Sequence, residues 1–157
     1  MEDNFSAKEE LHALEKTGEF VFHGSPFKLE TLEPRQAHNH VKREDGEYEA
    51  IPDGHPAVFA SPFADTAIFM AVVNRKNAPF GSRSGFSSDN KGHFEFRATK
   101  ETFDQITDGA IGYVHVFDKK DFEEINHNES VAYTLVTPVK IIEVKKEDLP
   151  VVEVKEF

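Results

Sequence analysis

The stretch Phe20-Val21-Phe22-His23-Gly24-Ser25 changes from apolar to polar in its middle, as a strand does where it opens into a loop. Its first three residues favour strand, and the histidine, glycine and hydroxyl follow at the strand end. Two later segments, residues 57–61 and 128–133, are also strand-like and also carry polar side chains. We therefore predict that the three segments contribute residues to one shared cleft.

Composition favours one domain with a core rich in phenylalanine. The 157 residues are 38% hydrophobic, which is enough to bury one core. Fifteen residues are Phe, three are Tyr and none is Trp, so most of the aromatic rings need no hydrogen-bond partner when buried. We predict a single domain over residues 1–157.

The charge pattern and the absence of cysteine exclude several classes of function. The net charge is −11 and the basic residues are scattered, so binding to duplex nucleic acid is not expected. No residue is Cys, which excludes disulfides, thiolate zinc sites and a cysteine nucleophile. No stretch approaches about 18 apolar residues and no signal-peptide pattern begins the sequence, so we expect a cytoplasmic protein without membrane association.

Residues 1–18 carry the signals of an N-terminal helix. Ser6 and Glu9 have the spacing of a capping box, in which the hydroxyl and the carboxylate each accept a backbone N–H bond. Gly18 follows the last apolar residue of the pattern and can adopt the left-handed conformation that ends many helices. We predict about three turns of helix between these signals.

A second helix is predicted over residues 62–73. Ser61 is a favourable N-cap, Pro62 suits the first helical position, and apolar residues then recur at helical spacing. A further short helix is predicted from about residue 100 to residue 106.

Alternating apolar and polar residues predict the strands, and two polar segments interrupt them. Residues 30–56 are predicted to be a long loop, and residues 74–92, which are rich in Gly and Ser, a flexible surface loop. Strands around a few helices indicate an α+β domain with mostly antiparallel sheets. The predicted strands are residues 20–23, 57–60, 93–97, 113–117, 130–136, 139–144 and 151–154.

The three polar strand ends together resemble the NAD-binding motifs of the diphtheria-toxin and poly(ADP-ribose) polymerase class of ADP-ribosyltransferases. That class has a His-Gly-Ser/Thr strand, then a Tyr-Phe-Ala strand followed by a helix with an aromatic residue, then a Glu that begins a late strand. His23-Gly24-Ser25, Phe59-Ala60-Ser61 with Phe69, and Glu129 occur here in the same order. The resemblance implies a split β-sandwich of mostly antiparallel strands with three or four short helices, with NAD bound across the cleft between two sheets.

The resemblance also implies a role for each residue at the NAD site. His23 would hydrogen-bond ribose hydroxyls, Gly24 would let the backbone approach the nicotinamide carboxamide, and Ser25 would be a second polar anchor. Phe59 and Phe69 would lie against the nicotinamide ring. Two positions of the family pattern that usually hold Tyr are Phe here, which keeps the ring and removes the hydroxyl.

The catalytic role would belong to Glu129, with His23. The family's Glu hydrogen-bonds the ribose 2′-hydroxyl and stabilises the positive charge that develops as nicotinamide leaves. Ser61 and Tyr133 are also assigned to the NAD site. Tyr133 lies four residues after Glu129, on the same face if the strand is regular, and would supply a hydroxyl.

The implied function is cleavage of the nicotinamide glycosidic bond of NAD and transfer of ADP-ribose to an acceptor that the sequence does not identify, or to water. A regulatory or antitoxin partner is compatible with such an activity. One alternative is an inactive module of the same fold that binds NAD or ADP-ribose. Another is an RNA 2′-phosphotransferase-like enzyme, which would need arginines where this chain has Phe and Glu.

Two further readings concern the segment of residues 30–56. His38, His40 and His55 could be read as a metal site, but no Cys is available and the carboxylates are ordinary for an acidic loop. No metal is therefore assigned. Arg35 or Arg43 is instead a candidate to contact the pyrophosphate of a nucleotide, because a guanidinium forms paired hydrogen bonds to phosphate.

Overall fold

The computed structural model describes residues 6–42, 44–89 and 93–156, without the side chains of residues 36–42 and 48–54. Its α-helices are α1 (Ala7–Thr17), α2 (Ala64–Val72) and α3 (Lys100–Gln105). The Ser6 hydroxyl accepts the Glu9 N–H at 3.1 Å, and Gly18 ends α1 with φ 71°. The predicted first helix is confirmed, with both of its end signals.

The strands form three small sheets. The strands are β1 (Phe20–Ser25), β2 (Arg35–Lys42), β3 (Tyr48–Ala60), β4 (Ser84–Ser88), β5 (Phe94–Ala98), β6 (Ile111–Asp118), β7 (Glu123–Asn126), β8 (Glu129–Ala132), β9 (Lys140–Lys145) and β10 (Val152–Val154). The first sheet has the order β1-β6-β9, the second β2-β3-β8-β7, and the third β10-β5-β4. Among the described pairings only β10 with β5 is parallel, which confirms an α+β fold with mostly antiparallel strands.

The first two sheets meet at a single described bridge between β1 and the end of β3. The Phe22 N–H donates to the Ser61 carbonyl at 2.7 Å, and the Ser61 N–H donates back to the Phe22 carbonyl at 2.8 Å. Beyond this bridge β1 pairs with β6, while β3 pairs with β8. The strands therefore separate after Phe22, and a cleft opens between the two sheets.

The prediction of a long loop over residues 30–56 is wrong. This segment forms β2 and most of β3, paired antiparallel from Arg35 with Ala57 to Lys42 with Tyr48. Sheet pairing satisfies backbone N–H and C=O groups and does not require apolar alternation, so a polar hairpin gives little signal in the sequence. The Pro and Gly residues of the segment favour a loop when they are considered without a partner strand.

The prediction of a flexible loop over residues 74–92 is also wrong in part, because β4 forms within it. Phe86 of β4 lies directly opposite Phe96 of β5. Gly85 and the neighbouring serines suggested a turn, but a strand with a partner tolerates such residues at an edge.

Helix α2 begins later than predicted. The Ser61 hydroxyl accepts the N–H of Phe63 at 3.1 Å, so it stabilises the turn before the helix and does not cap it. The Glu15 carboxylate of α1 accepts the first helical N–H, that of Ala64, at 2.6 Å. A side chain distant in sequence has replaced the local cap that Ser61 and Pro62 predicted.

Helix α2 packs unusually close to β1 and β6 because each strand has a glycine at the contact. A Cβ atom on Gly24 would lie 1.9 Å from the Ala67 carbonyl oxygen, and one on Gly112 would lie 1.9 Å from the Ala71 carbonyl oxygen. Neither distance is possible, so both positions require glycine unless the helix moves. The small alanines on the helix allow the same close approach.

We predict that Gly112→Ala lowers the free energy of unfolding by about 3 kcal/mol, because the added methyl collides with helix backbone that cannot rotate away. Urea denaturation at constant m-value measures the change. The matched control is Gly109→Ala, whose added Cβ meets nothing closer than the Thr107 hydroxyl at 3.9 Å and which should change stability by less than about 0.5 kcal/mol. Equal effects of the two substitutions would contradict the packing argument.

Candidate functional site

Two neighbouring cavities occupy the cleft between the first two sheets. The larger has a volume of about 560 Å³ and the smaller about 410 Å³. His23 and Phe59 line both, so the cavities meet at these two residues. Their sizes lie in the range of small-molecule and cofactor sites.

The His23 ring spans the gap where β1 and β3 separate. Its Nδ1 lies 2.6 Å from the Phe59 carbonyl oxygen, and because a carbonyl only accepts, Nδ1 carries the proton and donates. Burial lowers the pKa of His23 below its ordinary value; the bond to Phe59 opposes this, and the charge of Arg35 adds to it. The ring is therefore neutral at pH 7. Nε2 keeps its lone pair, and no described residue hydrogen-bonds to it.

A second histidine supports the first from behind. His115 of β6 is fully buried, and its Nε2 accepts the Leu29 N–H at 3.0 Å while Nδ1 lies 3.3 Å from the His23 carbonyl oxygen. The first bond requires a bare Nε2, so Nδ1 carries the proton and donates. Burial is the main cause that lowers the pKa of His115. This neutral ring ties the end of β1 to the loop that carries Leu29, a residue of the smaller cavity.

Gly24, Ser25 and Ser61 lie at the cleft, but each also has a role in the fold. Gly24 lacks a side chain where α2 packs on β1, so the fold requires glycine at this position whether or not a ligand binds. The Ser25 hydroxyl accepts the Phe27 N–H at 3.1 Å, and the Ser61 hydroxyl accepts that of Phe63. Gly24 and Ser61 line the larger cavity and Ser25 the smaller one.

The structure separates the two phenylalanines predicted to stack on a ligand. Phe59 is 38% exposed and lines both cavities. Phe69 is 2% exposed, lies in the core with its ring centroid 5.1 Å from that of Phe96, and lines neither of the two cavities. Phe69 therefore offers no ring face to a ligand, because its position on α2 points between the helix and the third sheet.

Glu129 begins β8 opposite Asn126 of β7, and both residues line the larger cavity with His23 and Phe59. The structure thus brings a residue from each of the three polar segments to one cavity. Tyr133 is not brought there. β8 ends at Ala132, so the regular alternation expected between Glu129 and Tyr133 does not hold, and the Tyr133 ring is 52% exposed and lines neither cavity.

Thr66 and Phe86 are among the residues of the larger cavity that the sequence did not assign to a site. Thr66 of α2 is 5% exposed, and its hydroxyl has no hydrogen-bond partner among the residues that the structure describes. Thr66 is a hydroxyl residue at the start of an otherwise apolar stretch of α2, and that is the sequence signal that could have identified it. Phe86 of β4 lies in the segment predicted to be a flexible loop, which concealed it.

The smaller cavity is lined by one basic and one acidic side chain. Arg35 and Glu33 line it beside His23, so a guanidinium stands near the junction of the two cavities. Arg43 and the side chains of His38 and His40 lie outside the described residues. Within the described part of the chain, no group of three or more His, Cys, Asp or Glu side chains is arranged to hold a metal ion.

Comparison with known proteins adds no relative: no protein-family model, curated protein or solved structure matches this chain. Among the described helices, none is long and apolar enough to cross a membrane.

We predict that acid destabilises the fold through His115. Because burial holds its pKa below the ordinary value of about 6.5, the unfolded chain takes up a proton in preference to the folded one as the pH falls. The stabilisation is complete above about pH 6.5 and is lost as the pH falls from there towards the folded pKa. Denaturant unfolding between pH 7.5 and pH 5 measures the slope.

His115→Gln keeps an acceptor for the Leu29 N–H but cannot titrate, so it should give a shallower slope than the wild type. Some slope remains, because the pKa of His23 is lowered in the same direction. The exposed His55→Gln is the control and should keep the wild-type slope. A slope unchanged in His115→Gln would show that protonation of His115 is not the cause.

Proposed function

We propose that this protein is an NAD-dependent ADP-ribosyltransferase or NAD glycohydrolase, with an ADP-ribosyltransferase-like split β-sandwich. The observation that carries the proposal is the convergence of His23, Phe59 and Glu129 on one cavity at the split between two sheets. These residues come from three strands far apart in sequence, and the resemblance assigned them to one site. NAD is a substrate in this reaction, and its two ends would occupy the two joined cavities.

The proposed reaction breaks the bond between the ribose C1′ and the nicotinamide nitrogen. Both bonding electrons leave with nicotinamide, which becomes neutral, and the ribose C1′ takes on positive charge. An oxygen of water or of an acceptor then bonds to C1′ and releases its proton. Catalysis of this step consists mainly of stabilising the developing charge on the sugar.

Four residues of the larger cavity have side chains that suit this reaction. The Glu129 carboxylate is an acceptor for ribose hydroxyls and a negative charge for the cationic transition state. The neutral His23 presents a bare Nε2 that accepts a hydroxyl hydrogen bond. Phe59 offers an exposed ring to a flat base, and the Thr66 hydroxyl gains a partner when a polar group enters the cavity.

Arg35 supports the orientation of the dinucleotide. It lines the smaller cavity beside the His23 junction, where a pyrophosphate linking two nucleosides would pass. A guanidinium binds such oxygens with paired, charge-assisted hydrogen bonds. Because the chain has a net charge of −11, it repels an anionic ligand overall, and the local cation at the cleft offsets this repulsion.

We predict that Glu129→Gln lowers the rate of nicotinamide release from NAD by about 100-fold or more, because the amide keeps the shape and removes the charge that stabilises the transition state. The binding constant for NAD should change much less than the rate. Release is measured by chromatography with water as acceptor, and binding by calorimetry. The control Glu123→Gln, on the exposed edge strand β7, should retain the wild-type rate.

One observation favours a second function, that of an NAD or ADP-ribose binding module without turnover. Phe59 has no hydroxyl, and Tyr133 is outside both cavities, so neither residue supplies an aromatic hydroxyl to the larger cavity. NAD binding by the wild type without nicotinamide release, unchanged in Glu129→Gln, would establish the binding module. Absence of both binding and release would refute both functions.

A further inference from the structure

We infer that Phe86 of β4 is a positioning residue of the larger cavity, on whose ring a flat heterocycle stacks. The inference deepens the proposed function and rests on it for the identity of the ring, nicotinamide. Phe86 takes the part that the sequence assigned to Phe69. It comes from a different element of the fold, a strand of the third sheet.

Exposure and location distinguish Phe86 from the neighbouring rings. Phe86 is 40% exposed and lines the larger cavity, as does Phe59, which is 38% exposed. Phe69 and Phe96 of the same ring cluster are 2% and 5% exposed and do not line it. The larger cavity therefore has two partly exposed aromatic rings in its wall, one from β3 and one from β4.

The ring of Phe86 is held in place before any ligand arrives. It packs against Phe69, Phe94 and Phe96 at centroid distances of 6.4, 6.3 and 6.0 Å. A ring supported on one side and exposed on the other loses little conformational freedom when a ligand stacks on it. Such support suits a residue that orients a ligand.

The strand that carries Phe86 is connected to the turn that precedes Glu129. Asn128 Nδ2 donates to the Ser88 hydroxyl at 3.0 Å, which joins the end of β4 to the turn just before Glu129. This hydrogen bond joins the third sheet to the second beside the larger cavity. A base stacked on Phe86 would lie in the same cavity as the Glu129 carboxylate.

Two substitutions test whether ligand binding depends on the aromatic face of Phe86 or only on its apolar volume. Phe86→Leu removes the aromatic face and should weaken binding of NAD and of free nicotinamide by two- to tenfold, whereas Phe86→Tyr keeps the face and should stay within twofold of the wild type. Calorimetry gives both dissociation constants. In turnover, Phe86→Leu should raise KM for NAD by a similar factor, and kcat should fall less than in Glu129→Gln.

Two controls identify effects on folding. Phe117→Leu removes a buried ring of the other hydrophobic cluster that lines neither cavity, so it should lower the thermal midpoint more than Phe86→Leu does and should leave the dissociation constant near the wild-type value. Phe80→Leu changes a 73% exposed ring outside both cavities and should alter neither quantity. A binding constant in Phe86→Leu equal to that of the wild type, or an equal loss in Phe86→Tyr and Phe86→Leu, would overturn the inference.

Titration of three ligands distinguishes failure of the stacking role of Phe86 from failure of the proposed function. NAD, nicotinamide and adenosine are each titrated into the wild type and the Phe86 variants. If NAD does not bind but one of the other flat ligands binds in a Phe86-dependent manner, the proposed function fails and the stacking role of Phe86 stands. If NAD binds equally to wild type and Phe86→Leu, the stacking role fails alone. Binding of none of the three would overturn both.

Discussion

The close contact of α2 with β1 and β6 is the constraint on which the rest of this structure depends. Gly24 and Gly112 bring two strand backbones against the helix backbone at Ala67 and Ala71. This contact places the first turn of α2, and with it Thr66, at the wall of the cleft. Beside this contact, β1 runs past the end of β3, and the described bridge at Phe22 is followed by separation of the two strands. The helix contact and the bridge together border the cleft.

The split between the sheets would leave backbone groups unpaired if side chains did not replace the missing strand contacts. His23 donates to the Phe59 carbonyl across the opening, and His115 bonds both the His23 carbonyl and the Leu29 N–H. These two neutral imidazoles form hydrogen bonds to backbone groups that strand pairing would otherwise satisfy, and the cleft stays open. Protonation of the buried His115 would cost the Leu29 bond, because its Nε2 would then be a donor facing a donor. The same residues therefore link acidity, the stability of the fold and the shape of the site.

The sequence predicted the helices and the apolar strands well because their signals are local. Ser6 and Gly18 mark α1 by chemistry within one turn of each end, and the apolar alternation of β5 and β6 reflects burial on one face. β2, the first part of β3, β4 and β7 were missed, since these strands are polar and exist because a partner strand satisfies their backbone. The start of α2 was misplaced for a related reason: the first helical N–H, that of Ala64, is bound by Glu15, a contact between helices that no local pattern shows.

The candidate site shows the same division between local and long-range information. The three segments were correctly expected to meet, because His23, Phe59 and Glu129 each stand at a strand end. Phe69 was expected beside Phe59 from its spacing alone, but spacing does not tell which face of a buried helix meets a cavity, and that face carries Thr66 and Met70 instead. Phe86 could not be found, because it reaches the cleft through its pairing with β5.

Several residues that suggested a ligand site have sufficient reasons to be there in the fold itself. Gly24 is required by the helix contact, and the Ser25 and Ser61 hydroxyls each accept a backbone N–H of the following turn. A His-Gly-Ser sequence is therefore partly the signature of a strand that packs under a helix and then turns. Four features are left once these folding roles are set aside. They are the bare His23 Nε2, the partly exposed Phe59 ring, the Thr66 hydroxyl without a described partner and the Glu129 carboxylate, and all four residues line one cavity. The Thr66 hydroxyl has no partner among the described residues, and the other three features lie in the wall of the same cavity. The case for a ligand consequently rests on this smaller set, and the glycine and serines of the motif describe the frame that holds it.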